Sequence, residues 1–137
     1  MLDTERFLIA QESAYPIALR EMQAGQKRSH WIWYIFPQLT SLGRSDTAKY
    51  YGIDTLADAK AYLSHPILGQ RLCEITDQIL KHTNRDPVRL MGSYVDAVKL
   101  RSSMTLFREA ADDPTRFDAV LAHYFESKPD RYTLERL

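Results

Sequence analysis

Tyr94-Val-Asp-Ala-Val-Lys-Leu-Arg-Ser-Ser-Met-Thr-Leu-Phe-Arg-Glu-Ala-Ala111 is the stretch that decides the fold. Ala97, Leu100, Met104 and Phe107 recur three and four residues apart, so it reads as a long helix with that stripe turned inward. The same pattern extends to both sides. Downstream, Asp113-Pro114-Thr115 begins a helix with Phe117, Leu121 and Tyr124 facing in, and Asp130 can cap a last short helix carrying Leu134 and Leu137. Upstream, Asn84 to Pro87 breaks the chain before a helical turn to Met91, and Pro66 opens a long helix with Leu68, Leu72, Ile75 and Ile79 on one face.

Asp54 or Thr55 starts a helix through Leu63, and Ser45 caps a short one ended by Gly52. Leu39 to Arg44 reads as a loop. Asp3 can cap a first turn with Phe7 and Leu8, and Ser13 a separate helix with Pro16 in its first turn, Tyr15, Leu19 and Met22 on its apolar side and Gly25 as its stop. His30 to Phe36 fits a short buried helix or a strand, with helix preferred. Period-two alternation is almost absent. The expectation is a mainly α, single compact orthogonal helical domain over residues 1–137, with room for one small hairpin.

Composition narrows the function. Eighteen basic and eighteen acidic side chains cancel, which argues against stable nucleic-acid binding. One cysteine, Cys73, can form no internal disulfide, and no Cys/His set has zinc spacing. No metal or cofactor is called for, and no phosphate-loop, dinucleotide-binding or nucleophile-elbow motif is present. No apolar run approaches the ~20 residues that span a bilayer, and the charged start is unlike a signal peptide. A cytoplasmic protein without a membrane partner is expected; oligomeric state is left open.

Two segments carry candidate chemistry. Lys27-Arg-Ser-His-Trp-Ile-Trp-Tyr-Ile-Phe-Pro-Gln38 crowds aromatic rings beside cationic and polar groups. Aromatic faces next to hydrogen-bonding side chains can hold a planar polar ligand, although the same residues also describe a core segment with a polar entry loop. On the long helix, Asp96, Lys99 and Ser103 form one stripe beside the apolar one, at the edge of the core. A carboxylate there can serve as a base or hold ribose hydroxyls, and a lysine can neutralise phosphate. Asp96 and Lys99 equally fit a surface ion pair, and Ser102 and Ser103 a close helix contact. His30 can exchange protons near neutral pH or can be structural.

Lys27 to Gln38, Leu42-Gly-Arg-Ser45, Ala61-Tyr-Leu-Ser-His-Pro66, Leu68-Gly-Gln-Arg-Leu72 and Lys99 to Phe107 together resemble domain-of-unknown-function family 1810 from about Arg6 to Thr133. Its occasional label "calpastatin" would imply a disordered, aromatic-poor chain, which this is not. The aromatic entry segment and the late helix ending Met104 to Phe107 are more remotely similar to the NADAR family, whose members are linked to ADP-ribose chemistry. That likeness implies an ADP-ribose-like or nucleotide ligand and N-glycosidase chemistry, with Asp96 in place of an acidic motif that has no clear counterpart here. The expected catalytic residues are Asp96, Lys99 and His30. The expected ligand contacts are Lys27, Ser29, Trp31, Trp33, Gln38, Ser102 and Ser103. The alternative is a non-catalytic domain that docks a protein or peptide on the aromatic segment 30–38.

Overall fold

A computed structural model describes residues 1–82 and 86–137. The long helix is its centre. Ser93 caps it by accepting the Asp96 N–H at 3.1 Å, and it runs over Tyr94–Ala110 as α7. It is the seventh of the helices α1 (Glu5–Ala24), α2 (Ile32–Ile35), α3 (Asp46–Tyr50), α4 (Leu56–Ser64), α5 (Leu68–Ile79), α6 (Pro87–Met91), α7, α8 (Thr115–Tyr124) and α9 (Arg131–Glu135). The inward stripe is as expected: Leu100, Met104 and Phe107 are fully buried and Ala97 nearly so. α7 packs against α2, α4, α6, α8 and α9, and α5 packs against α1, α4 and α8. The four apolar residues expected on the inner face of α5 are all buried.

Capping follows local chemistry. Ser45, Thr55, Asp86 and Asp130 each accept a backbone N–H at the start of α3, α4, α6 and α9. His65 does the same for α5, its Nδ1 accepting from Ile67 and Leu68 at 3.2 Å. The expected break at residues 84–87 lies partly outside the described residues; Pro87 stands in the first turn of α6.

Three expectations change. The separate helices at Asp3 and Ser13 are one, α1, which continues through Pro16. Its buried residues Phe7, Gln11, Tyr15, Ala18 and Met22 form one unbroken stripe. Gln11 hides that continuity in the sequence because it is polar. It is nonetheless buried, donating to the Tyr34 carbonyl at 2.7 Å and the Tyr62 hydroxyl at 3.1 Å. No hairpin occurs among the described residues; the nearest thing is one parallel bridge between Leu39 and Ile53. In α9 the buried side chain is Thr133, which donates to its cap Asp130 at 2.6 Å, while Leu137 is exposed. Residues 30–36 do hold a short helix, α2, and Trp31, Ile32, Ile35 and Phe36 are buried.

The bridge matters for the cleft below. Thr40 N–H donates to the Ile53 carbonyl and Ile53 N–H to the Gln38 carbonyl, both at 2.9 Å. Chain between these points leaves the bundle, forms a 3-10 turn over Thr40–Leu42 and then α3, and returns through Gly52. At that neck Gly52 lies so close to Thr40 that a Cβ would stand 2.4 Å from the threonine Oγ1.

Candidate functional site: a cleft between the aromatic segment and the long helix

The segment Lys27–Gln38 and the Asp96–Lys99 turn of α7 meet. Lys27 follows α1 and is tied down by its N–H, which donates to the Leu90 carbonyl at 2.8 Å. Its ammonium lies 2.8 Å from the Asp96 carboxylate, donates to the Ser29 carbonyl and stands 4.9 Å from the centre of the Trp31 ring. The partner of Asp96 is therefore Lys27 across the fold, and Lys99 three residues on is left free for another contact. Only 5% of the Lys27 side chain and 17% of that of Asp96 reach solvent, so the pair is far better shielded than a surface ion pair.

One turn further along α7, Lys99 lies over the other tryptophan, its Nζ 5.5 Å from the Trp33 ring centre. Ile32, Trp33, Phe36, Gln38, Ala48 and Lys99 line a narrow cleft of about 10 Å³, room for about one water. α2 supplies the aromatic wall, α7 the cation, and Ala48 of α3 the opposite side. The Gln38 side-chain amide makes no hydrogen bond to the described protein and is free to turn toward a ligand.

The remaining candidates fall elsewhere. Trp31 is buried, its indole N–H donating to Glu21 at 2.8 Å, so it offers no face to a ligand. Ser29 also donates to Glu21, through hydroxyl and N–H. The His30 ring stands in solvent. Ser102 turns to the far side of α7, where its hydroxyl meets Val98 and the buried Asp130. Ser103 is fully buried, and its hydroxyl has no protein partner.

Glu21 is the organising residue that sequence reasoning missed. Its carboxylate also accepts the Arg28 N–H at 2.8 Å, and so fastens the whole loop that delivers Lys27. Burial works against its charge, but the Ser29 hydroxyl, the Arg28 N–H, the indole of Trp31 and the Ser29 N–H bring its pKa down to about 2. One signal was present. A glutamate in the last turn of a helix opposes the macrodipole and needs donors from outside the helix.

No group of three His, Cys, Asp or Glu side chains among the described residues is placed to hold a metal ion. No helix among them is long and apolar enough to cross a membrane. Cys73 is half-buried, and burial pushes its thiol up against the opposing pull of Arg116.

The blocks quoted from the sequence, the helical architecture and the cleft assembled from two of those blocks define a small α-helical protein of a family without an assigned activity. The chain belongs to the family described as "Protein of unknown function (DUF1810)", whose model matches residues 1–137. It is similar to the conserved hypothetical protein Rv1873 from Mycobacterium tuberculosis, whose crystal structure at 1.38 Å superposes with a TM-score of 0.95 at 44% sequence identity, covering 98% of this chain and 96% of that one. No curated protein matches.

Proposed function

We propose that the chain binds a planar, phosphate-bearing ligand of the nucleotide or ADP-ribose class in the cleft between α2 and α7, and that it cleaves an N-glycosidic bond there. The observation that carries the reading is Lys99 lying over the Trp33 ring one turn from the Lys27–Asp96 pair. An indole face, a movable cation and a carboxylate on one helix edge match a ring, a phosphate and a ribose. At about 10 Å³ the cleft is too small for a whole nucleotide, so entry must part Lys99 from Trp33. The uncovered indole then takes the ring, and the ammonium turns to the phosphate. As the glycosidic bond breaks, its electron pair leaves with the base, Asp96 opposes the positive charge that develops on the sugar, and a solvent water gives its hydroxyl to the sugar carbon and its proton to the base.

The test is a thermal-shift series with ADP-ribose, NAD and AMP, followed by turnover of whichever binds. A ligand at 100 times its Kd should stabilise the fold by about 2.7 kcal/mol. Failure of all three to raise Tm at millimolar concentration sinks the reading. Once a substrate is found, Asp96→Asn should lower kcat strongly and leave KM nearly unchanged, because the lost interaction belongs to the transition state. Parental turnover would remove Asp96 from the chemistry and leave a binding domain.

A protein-docking role is the second reading. It is favoured by Tyr94, Val95 and Val98, which expose 72%, 60% and 42% of their surface at the start of α7. The aromatic segment supports it less, since only Trp33 and Tyr34 of residues 31–36 remain part-exposed.

A further inference from the structure

The two tryptophans have opposite hydrogen-bonding states. The Trp31 N–H donates to the Glu21 carboxylate, whereas the Trp33 Nε1 is enclosed and makes no hydrogen bond to the protein. An indole N–H can only donate, and an enclosed donor without an acceptor is costly, so a buried orphan of this kind marks a place where something else belongs. A second orphan lies nearby in the fold. Ser103 is one helical turn beyond Lys99 on α7, is fully buried, and has an unpartnered hydroxyl. The cleft wall adds the Lys99 ammonium, another donor-only group, and the free amide of Gln38. The two donor-only groups of the cleft wall, the Trp33 N–H and the Lys99 ammonium, thus have no anionic acceptor, since the nearest carboxylate on the same face of α7, Asp96, is already paired with Lys27.

From this donor set we infer that the cleft seats an anionic, acceptor-only oxygen: a phosphoryl oxygen of the ligand, bound by the Trp33 N–H and Lys99 together. This rests on the proposed reading and assigns the indole two tasks. Its face takes the ligand ring, and its N–H edge takes the oxygen. Lys99 links the two, because leaving the face both uncovers the ring surface and brings the ammonium to the phosphate. A neutral nucleoside or a free amide would leave Lys99 without its counter-charge and gain little from the site.

The two indole N–H resonances in a 1H–15N spectrum provide the test, assigned with Trp33→Phe. Addition of ADP-ribose or inorganic pyrophosphate should move the Trp33 signal downfield as a charge-assisted hydrogen bond forms, while Trp31, already bonded to Glu21, stays in place. Adenosine and nicotinamide should leave both unmoved. Trp33→Phe removes the donor and also shrinks a ring that packs against the core, so a modest fall in Tm is expected; it should weaken ADP-ribose binding about tenfold or more. ADP-ribose that raises Tm yet leaves the Trp33 resonance unmoved would overturn the oxygen seat and spare the binding reading. A shift with adenosine equal to that with ADP-ribose would also overturn it. If no probe raises Tm or moves either resonance, both fall.

Discussion

Glu21 and Lys27 show how much of the site depends on single side chains. The carboxyl of Glu21 is held at about 2, below its ordinary 4.5. Its contribution to stability is thus complete above pH 4.5 and is lost as the pH falls toward 2. Glu21→Gln should remove that part of the acid limb, seen as a flatter dependence of the urea midpoint on pH between those values; a limb as steep as the parent's would show that Glu21 is not what protonates. The Lys27–Asp96 pair makes a different demand. Asp96→Asn leaves a buried ammonium without its partner and should destabilise by about 1–3 kcal/mol, less than the ~3–5 of a wholly buried pair because Asp96 keeps an edge in water. A loss under about 0.5 kcal/mol in urea titration would place the pair among ordinary surface contacts. The turnover assay of this variant must accordingly be run well below its Tm. At this scale the sequence was partly legible. Aromatic crowding marked the right segment, and the Asp96–Lys99 stripe marked the right turn of α7. Which tryptophan faces the cleft was hidden, because the burial of Trp31 goes with its contacts to Glu21 and Lys27 across a loop whose path no local spacing specifies.

Helices were the most readable elements, since their apolar spacing reports directly which face is buried. α7 obeys that rule closely. Leu100→Ala and Phe107→Ala should each cost about 2–5 kcal/mol by chemical unfolding, and midpoints equal to the parent's would mean that the core has a different helix face. The failures also have physical causes. Pro16 and Gln11 made α1 look like two helices, yet the buried stripe continues past both, and packing of that stripe outweighs one missing backbone hydrogen bond. The turn between α4 and α5 carries a constraint that periodicity cannot show. A Cβ on Gly69 would lie 2.0 Å from the Leu63 carbonyl oxygen, and backbone cannot step aside as a side chain can. Gly69→Ala should destabilise by roughly 1–3 kcal/mol or more, whereas its helical propensity alone predicts a gain of up to about 1 kcal/mol. The sign of the measured change decides which effect wins.

The whole molecule is tied together through a few long-range polar contacts laid over one hydrophobic cluster. Gln11 links α1 to the end of α2 and to α4, the Arg116–Asp77 pair at 2.6 Å links α8 to α5, and the Tyr124 hydroxyl donates to the His82 carbonyl at 2.6 Å. With one shared core, far-ultraviolet dichroism and tryptophan fluorescence should report a single coincident unfolding transition; separated midpoints would reveal a part that melts by itself. The excursion between Thr40 and Gly52 joins this plan through Tyr51, whose ring meets those of Phe7 and Tyr34. It leaves and re-enters at a neck closed by two backbone hydrogen bonds, and it brings Ala48 to the cleft while the other lining residues belong to the α2 segment and α7. Altering the length of such a closed excursion changes its closure entropy only slowly. What the cleft admits can therefore be retailored within this one excursion, so long as Tyr51 keeps its ring against Phe7 and Tyr34.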